Sequence, residues 1–300
     1  MSIIKKIIED KIFKQKPIVL MHIGSAGSNF IKWDKISHKS VLISLDGNLK
    51  DQKINEKFYK VINENVIISD INGKSNFYIT EDPDCSSLLK PKKNLYKNWY
   101  ASPRFKIKKK VLTKVVEINT FLKKKKIKNI DWFVIDIQGM DLKIIKKLNN
   151  KIKKNMAIVN IEPCFEPFYE NEDSIIDVFS YMKKFFEFSD MSFGYNYKVG
   201  NTNLNFIEKK ILFLTNEPSK IYSNIIFINK RKTYRIILMT LVYLIQNNKL
   251  LEARDLINNN LKDHKSLMRY KKMIEKDIFL KKIQFVLLAP LFYLKKYLKI

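Results

Sequence analysis

The chain has 300 residues, enough for one α/β domain with an extension or for two small domains. Its 57 Lys and Arg residues against 30 Asp and Glu residues give a net charge of +27. Two explanations stay open: a compositional drift toward Lys, Ile and Asn, or attraction to an anionic membrane, glycan or nucleic acid. Lys greatly outnumbers Arg, so the composition gives no support to base readout, and we expect no specific nucleic-acid partner.

The two cysteines, Cys85 and Cys164, are too few and too far apart for a disulfide framework or a metal-ligand pattern. We therefore predict no metal site and a reducing, cytoplasmic setting. Residues 1–16 predict a short amphipathic helix, because their charges leave no apolar core of a secretory signal. No run reaches the roughly 18 apolar residues of a membrane-spanning helix.

The first strand is predicted at residues 17–23, an apolar run. The small residues 24–28 predict a turn, and residues 30–33 predict the start of a helix. A strand, a small-residue turn and a helix N-terminus are typical of a site for a nucleotide-like ligand, and a simple tight turn is the alternative.

A second strand is predicted at residues 41–45, with Asp46 at its end. An acid about 20 residues after the small-residue turn is placed to accept hydrogen bonds from ribose hydroxyls. A plain turn at residues 46–48 is the alternative. Residues 66–69 predict a third strand, and residues 75–80 predict an edge hairpin.

A long polar loop at residues 82–110 predicts a lid or a binding loop, with packing against another domain as the alternative. Aromatic residues at 99, 100 and 105 favour packing over a site. Residues 111–117 then predict a strand, and residues 118–126 a short helix.

The central stretch is residues 129–148, an apolar run that is interrupted by Asp136 and followed by an amphipathic helix. The run predicts a buried parallel strand, and Gln138 precedes the glycine of the turn. Ligands of open α/β sheets lie at the carboxyl ends of the strands. Asp136, Gln138 and Asp141 are therefore candidate ligand-facing groups.

A further strand is predicted at residues 156–161 and ends before Glu162, and residues 174–186 predict a helix. Residues 186–193 and 211–215 predict the last two strands, in antiparallel order. Residues 225–229 predict a short strand or a linker.

Beyond residue 230 the pattern predicts three helices, at residues 234–246, 249–260 and 266–300. The last contains an apolar run at 285–294 followed by lysines. This run is too short to span a membrane but suits an amphipathic helix lying on an anionic membrane surface. A closing helix packed on the domain is the alternative.

Several stretches, taken in order, resemble the FkbM-type methyltransferases, which use S-adenosylmethionine (SAM). They are HIGSAGSNFIKW (22–33), Asp46, SDINGKSNFY (69–78), CSSLLKP (85–91), VEINTFL (116–122), IDIQGMDLKIIKKL (135–148) and NIEPCFEPFY (160–169). The resemblance implies a Rossmann-like, seven-stranded methyltransferase sheet within 17–229, between an N-terminal helix at 1–16 and a basic helical extension at 230–300. It also implies O-methylation of a hydroxyl on a sugar or glycan.

Carried over to this chain, the family pattern implies cofactor contacts at five positions. Gly24 and Ser25 would line the methionine side of SAM. Asp46 would hold the ribose, and Ser69 and Asp70 would lie near the adenine.

The same pattern implies a reaction centre. Asp136 and Gln138 would face the sulfonium and the acceptor, and Glu162 would be a second acid facing the acceptor. Asp136 and Glu162 are the candidate bases for a hydroxyl nucleophile. His22 stands where the family usually has an acid that binds the SAM amino group, and is a third candidate.

Three functional hypotheses follow. The first is the SAM-dependent enzyme. The second is a methyltransferase-like binding module that has lost SAM and serves a glycan-assembly complex at the inner face of the membrane, which the His22 substitution favours. The third, nucleic-acid binding by charge, lacks any basic-aromatic motif of the known modules.

Overall fold

The structure is a computed structural model that describes residues 2–26, 28, 30–48, 57–93, 99–197, 205–215 and 218–298, with side chains up to residue 286. The chain divides into two compact units, residues 18–231 and residues 1–17 with 232–300. Residues 1–16, predicted as one short amphipathic helix, form two short helices and belong to the same unit as the C-terminal helices.

The described part of the larger unit contains ten strands. They are β1 Ile18–Ile23, β2 Ser40–Asp46, β3 Lys60–Asn65, β4 Ile68–Ser69, β5 Gly73–Thr80, β6 Ile107–Glu117, β7 Trp132–Ile135, β8 Ile158–Ile161, β9 Phe186–Asn196 and β10 Ser219–Asn229. Seven form one sheet in the order β3-β2-β1-β7-β8-β10-β9. The first five are parallel, and β10 is antiparallel to both neighbours. This confirms the predicted Rossmann-like seven-stranded sheet.

The helices of this unit are α3 Ile118–Lys124, α4 Asp141–Lys147, α5 Asn150–Asn155, α6 Ile175–Met182 and α7 Phe206–Thr215. The central strands β7 and β8 are buried at every position. Residues of α3, α4 and α6 join them in one apolar core. Because the core holds the parallel strands in register, their carboxyl ends meet at one edge of the sheet.

The predicted helix at residues 30–33 is wrong, because the described residues form only two 3₁₀ turns there, Ile31–Trp33 and Ser37–Lys39. Phe30 has a left-handed φ of 55°, which an α-helix cannot contain. Phe30 and Trp33 are both buried and stack on each other, so packing decides the local conformation.

The third strand of the main sheet is β3, not the predicted segment 66–69. β3 is a half-exposed edge strand, so its polar sequence KVINEN gives no apolar run. The predicted segment supplies β4, which joins a second sheet in the order β4-β6-β5. The predicted hairpin strand is β5, and it pairs antiparallel with β6.

The predicted strand at 211–215 is also wrong, because these residues end helix α7. Asn205 precedes the helix, and its Oδ1 accepts hydrogen bonds from the N–H groups of Ile207 and Glu208, both at 2.9 Å. The Glu208 carboxylate in turn accepts from the Asn205 N–H at 2.7 Å. This reciprocal cap is a helix-start signal that the sequence prediction missed.

The smaller unit contains α1 Ile3–Ile8, α2 Lys11–Gln15, α8 Tyr234–Gln246, α9 Leu250–Asn260 and α10 Met268–Leu298. Asp10 caps α2 and accepts hydrogen bonds from the hydroxyls of Tyr234 and Tyr270 at 2.7 and 2.9 Å. The Arg269 guanidinium pairs with the same carboxylate. These contacts connect the N-terminal helices to α8 and α10. Among the described residues, no helix combines the length and the hydropathy that a membrane span requires.

Candidate functional site

The turn after β1 lies against the end of β7. Gly24 has a φ of +77°, and a Cβ there would lie 1.7 Å from the carbonyl oxygen of Asp136. Its N–H donates to the Leu45 carbonyl at 2.9 Å. A side chain would therefore separate the two strand ends. The neighbouring Ser25 is buried, and its Oγ lies 2.8 Å from the Ser44 Oγ, so its side chain faces β2.

Asp46 joins the turns that follow β1 and β2. Its Oδ2 accepts from the Ala26 N–H at 3.0 Å, and its Oδ1 accepts from the Asn48 N–H at 2.7 Å. Each carboxylate oxygen has a second lone pair, so the group can still accept from ligand hydroxyls.

Ser69 ends β4 of the second sheet, and Asp70 follows it. The Val66 N–H donates to the Asp46 carbonyl at 2.8 Å, which brings the chain past the end of β2. The buried Ser69 Oγ lies 3.2 Å from an oxygen of the half-buried Asp70. Four of the predicted cofactor residues, Gly24, Asp46, Ser69 and Asp70, therefore lie in segments linked by backbone contacts.

Asp136 and Glu162 form a carboxyl pair at the centre of the edge. Ile135 and Ile161 are register partners in the parallel strands β7 and β8, so the residues that follow them lie side by side. The two carboxyl groups are hydrogen-bonded to each other. The sequence named both residues separately, and the sheet register explains their contact.

Gln138 fixes the orientation of this pair. Its Nε2 donates to the Asp136 Oδ1 at 2.8 Å, and its Oε1 accepts from the Tyr169 hydroxyl at 3.1 Å. Its backbone has a left-handed φ of 55°, and its carbonyl accepts from the Ser87 hydroxyl at 2.7 Å. Because the Oε1 of Gln138 accepts from Tyr169, the Nε2 of its amide faces the carboxyl pair.

Burial raises the pKa of both paired carboxyls. The pKa of Glu162 rises to about 9, because burial, the Asp136 charge and the Asp141 charge all disfavour its ionised form. The pair therefore shares one proton near neutral pH. Asp141 is itself buried and accepts from the Ile137 N–H at 2.9 Å, so it holds the turn rather than facing a ligand.

His22 is buried at the end of β1. Its ring packs edge-on against Phe30 and Trp33, and its Nδ1 lies 3.4 Å from the Ser28 Oγ. Burial, with the charge of Lys32, lowers the pKa of His22 to about 3. The ring is therefore neutral and cannot balance a ligand cation.

Lys32 is a charged neighbour of the centre that the sequence prediction missed. Its Nζ lies 5.3 Å from the centre of the Trp33 ring. The Lys32 residue is exposed at the surface, while desolvation of its ammonium lowers the pKa of Lys32 to about 8, against the attraction of Asp136 and Glu162. No signal in the sequence distinguishes Lys32 from the many other lysines of the chain.

A cleft of about 680 Å³ opens on the Glu162 side of the carboxyl pair. The loop predicted to form a lid supplies Tyr100, Arg104 and Phe105, and Tyr100 is anchored by its N–H to the Tyr197 carbonyl at 2.9 Å. Residues 94–98 of this predicted loop lie outside the described residues. The remaining lining includes Gln138, Gly139, Cys164, Phe168, Tyr169, Tyr195, Asn196, Lys209, Phe213, Ile221 and Tyr222.

The loop that follows β8, residues 164–172, lines the cleft as well. The sequence missed the contribution of β9, α7 and β10, which supply most of the remaining aromatic side chains. Burial raises the pKa of the thiols of Cys85 and Cys164, so neither is a thiolate. Among the described side chains, no group of three or more His, Cys, Asp or Glu residues could hold a metal ion.

The model of the methyltransferase FkbM domain matches residues 27–197. The chain belongs to the FkbM methyltransferase family. The matched segment includes Asp46, the carboxyl pair and both cleft loops. It begins after β1, so Gly24 and His22 lie outside it, and it ends before β10. No curated protein and no solved structure matches the chain.

Proposed function

We propose that this methyltransferase domain transfers the methyl group of SAM to a hydroxyl of a sugar or glycan. The observation that supports this most directly is the position of the Asp136–Glu162 pair. It lies between the strand-end turns at Gly24 and Asp46 and an aromatic cleft. Concave, largely apolar clefts with a few polar groups are typical of small-molecule sites.

The residues at the strand ends fit SAM. Gly24 has no side chain, so the turn after β1 packs directly against the end of β7, and the two strand ends meet at the proposed cofactor site. The Asp46 carboxylate suits the ribose hydroxyls, and Ser69 and Asp70 suit the adenine. The ionised member of the carboxyl pair suits the cationic end of the cofactor. Of the two residues, Asp136 lies nearer to the turn at Gly24.

SAM supplies the methyl group and a good leaving group, so the protein has two tasks. The first is alignment of the two reactants, which supplies much of the rate in such reactions. The second is removal of the hydroxyl proton. The Asp136–Glu162 pair holds one proton and one negative charge, so its ionised carboxylate accepts the proton while Gln138 keeps the pair oriented.

The test is calorimetric titration with SAM and with its demethylated product, S-adenosylhomocysteine (SAH). We expect micromolar binding, weakened roughly 10- to 100-fold in Asp46→Ala, because the carboxylate hydrogen bonds are lost. Asp255→Ala is the matched control, because Asp255 is an exposed aspartate of helix α9 in the smaller unit. Thermal melting shows whether Asp46→Ala, which also frees the Ala26 and Asn48 N–H groups, remains folded.

If the folded protein binds neither ligand at millimolar concentration, the methyltransferase proposal fails. If it binds, a screen of sugars and glycans for SAH release identifies the acceptor. A screen in which only non-hydroxyl acceptors are methylated would reject the sugar assignment and keep the methyl transfer.

The second candidate is a binding module that no longer uses SAM and serves a glycan-assembly complex at the membrane surface. The neutral His22 favours it. So do the exposed apolar residues Phe279, Ile283 and Val286, which share one side of α10. Lys281 and Lys282 lie between them in sequence and suit an anionic surface. Sedimentation with anionic and with neutral vesicles tests this second candidate. Absence of binding to both kinds of vesicle rejects it.

A further inference from the structure

Helix α7 carries large apolar side chains on its solvent side, at the rim of the cleft. Phe206, Ile207 and Leu214 are 71%, 67% and 84% exposed, and we call these three residues the α7 patch. Large apolar groups exposed together on one element are typical of a surface that binds a partner. The patch belongs to the larger unit, whereas the exposed apolar residues of α10 belong to the smaller unit.

One side of α7 is attached to the wall of the cleft. Leu212 is buried, and the Phe213 ring packs edge-on against the rings of Tyr100 and Tyr197, with centroid distances of 5.4 and 5.0 Å. Lys209 and Phe213 both line the cleft. These contacts define which side of the helix faces the protein, and they leave the other side to solvent.

The α7 patch continues the lining of the cleft. Phe206, Lys209 and Phe213 are at positions i, i+3 and i+7 of the helix, so they share one face. Ile207 and Leu214 each follow a residue of that row and are also at i and i+7, so they form the neighbouring row. A ligand that extends from the cleft past Lys209 and Phe213 therefore meets an apolar surface.

A basic group lies within the same surface. Lys210 is exposed, and it comes three residues after Ile207 and four before Leu214, so it shares their face. Its Nζ lies 4.7 Å from the centre of the Phe206 ring. Glu208 is the only acid of α7, and its carboxylate takes part in the cap at the start of the helix. Large apolar side chains beside lysines are typical of a helix that lies on an anionic lipid surface.

We propose that the α7 patch binds an anionic lipid surface and brings the mouth of the cleft to lipid-borne acceptors. The lipid contact follows from α7 alone, whereas the lipid-borne acceptor rests on the proposed function and narrows it. The acceptor is then a glycolipid, whose sugar enters the cleft while its lipid chain stays in the membrane. A second copy of this chain is the rival occupant, but the lysines of two such faces would repel each other.

The experiment measures co-sedimentation of the full chain with two kinds of vesicle, phosphatidylcholine alone and an equimolar mixture of phosphatidylcholine and phosphatidylglycerol. The main variant carries Ile207→Ser and Leu214→Ser, and a second variant carries Lys210→Gln. The matched control carries Leu112→Ser and Ile176→Ser, which replace exposed apolar residues of β6 and α6 in the same unit. Thermal melting shows whether each variant is folded, and titration with SAH shows whether its cofactor site is intact.

We expect the α7 double variant to lose roughly 10- to 100-fold in affinity for the anionic vesicles, because two large apolar side chains no longer enter the lipid. Lys210→Gln should lose roughly fivefold on the anionic vesicles and nothing on the neutral ones, the effect of one cation near a charged surface. The control should bind vesicles like wild type. SAH affinity should change by less than about twofold in every variant, because no substituted side chain belongs to the proposed cofactor site.

Equal vesicle binding by wild type and the α7 double variant overturns this inference, and loss only in a Phe279→Ser, Val286→Ser variant assigns the lipid contact to α10. Absence of vesicle binding by wild type overturns it as well. If wild type then associates with rising concentration and the α7 double variant does not, the patch binds a second copy of the chain.

SAH titration separates these failures from failure of the proposed function. A wild-type protein that binds SAH but no vesicles leaves the proposed function standing and removes the lipid contact. A wild-type protein that binds vesicles through the α7 patch but binds neither SAM nor SAH overturns the proposed function and the lipid-borne acceptor, and keeps the lipid contact.

Discussion

Replacement of Glu162 by Gln tests whether the carboxyl pair holds a proton at neutral pH. In the folded chain the pKa of Glu162 rises from its ordinary value of 4.5 to about 9, because of burial and the Asp136 and Asp141 charges. Between these values the unfolded chain has an ionised Glu162 while the folded chain keeps the proton. Stability therefore falls as pH rises from about 4.5 to about 9.

The size of the effect follows from proton linkage. One proton held only by the folded state changes the unfolding free energy by at most about 1.4 kcal/mol per pH unit. Glu162 is partly exposed, and the charges of Asp136 and Lys32 act on its pKa in opposite directions. We therefore expect about half of that slope, about 0.7 kcal/mol per pH unit between pH 6 and 8.

The assay is urea unfolding of wild type and Glu162→Gln at several pH values from 5 to 9. The glutamine is isosteric and cannot titrate, so the wild-type slope should flatten in the variant. Glu166→Gln is the control, because Glu166 is an exposed glutamate four residues further along the same loop. The many lysines titrate alike in all three proteins and cancel in the difference. Parallel slopes for wild type and Glu162→Gln would refute the shared proton.

Two further substitutions test the backbone and hydrogen bonds of the site. Gly24→Ala should destabilise the chain by about 3 kcal/mol or more and abolish SAH binding, since its Cβ would meet the Asp136 carbonyl at 1.7 Å in a left-handed conformation. Gly73→Ala is the control for backbone conformation, because Gly73 has a φ of +124° and nothing lies within 4 Å of its added Cβ. Equal losses of unfolding free energy in the two variants, measured by urea unfolding, would contradict the clash at Gly24. Tyr169→Phe should cost about 1–2 kcal/mol in the same assay, because its buried hydroxyl contacts Gln138 and a loop carbonyl. A Tyr169→Phe protein as stable as wild type would show that the hydroxyl contacts of Tyr169 do not contribute to stability.

The sequence predicted the central strands and the acids at their ends because both signals are local. Apolar runs mark β1, β2, β7 and β8, and the polar residue that follows each run must lie at the ligand edge. The contact between Asp136 and Glu162 is not local. It depends on the order β7-β8 and on their register, which no pattern in the sequence states.

The wrong predictions have a common physical cause, which is tertiary packing. β3 is half-exposed and has no apolar run, although its hydrogen bonds to β2 define it as a strand. The segment at 30–33 has a helical appearance, but burial of Phe30 and Trp33 forces a left-handed residue between the strands. The aromatic side chains that β9 and β10 contribute to the cleft were missed, because they are distant in sequence from the loops that line the rest of the cleft.

The neutral His22 at the end of β1 does not leave the proposed site without charge balance. On the proposed arrangement the Asp136–Glu162 pair, with one shared proton, contributes one negative charge, and the carboxylates of Asp46 and Asp70 contribute further negative charge. The proposed site is therefore negative and complements the net charge of about +1 on SAM. SAH lacks the sulfonium and is neutral overall, so the charge match is lost once the methyl group leaves. A further acid at position 22 would strengthen attraction for the ammonium group that SAM and SAH both carry, and would slow product release.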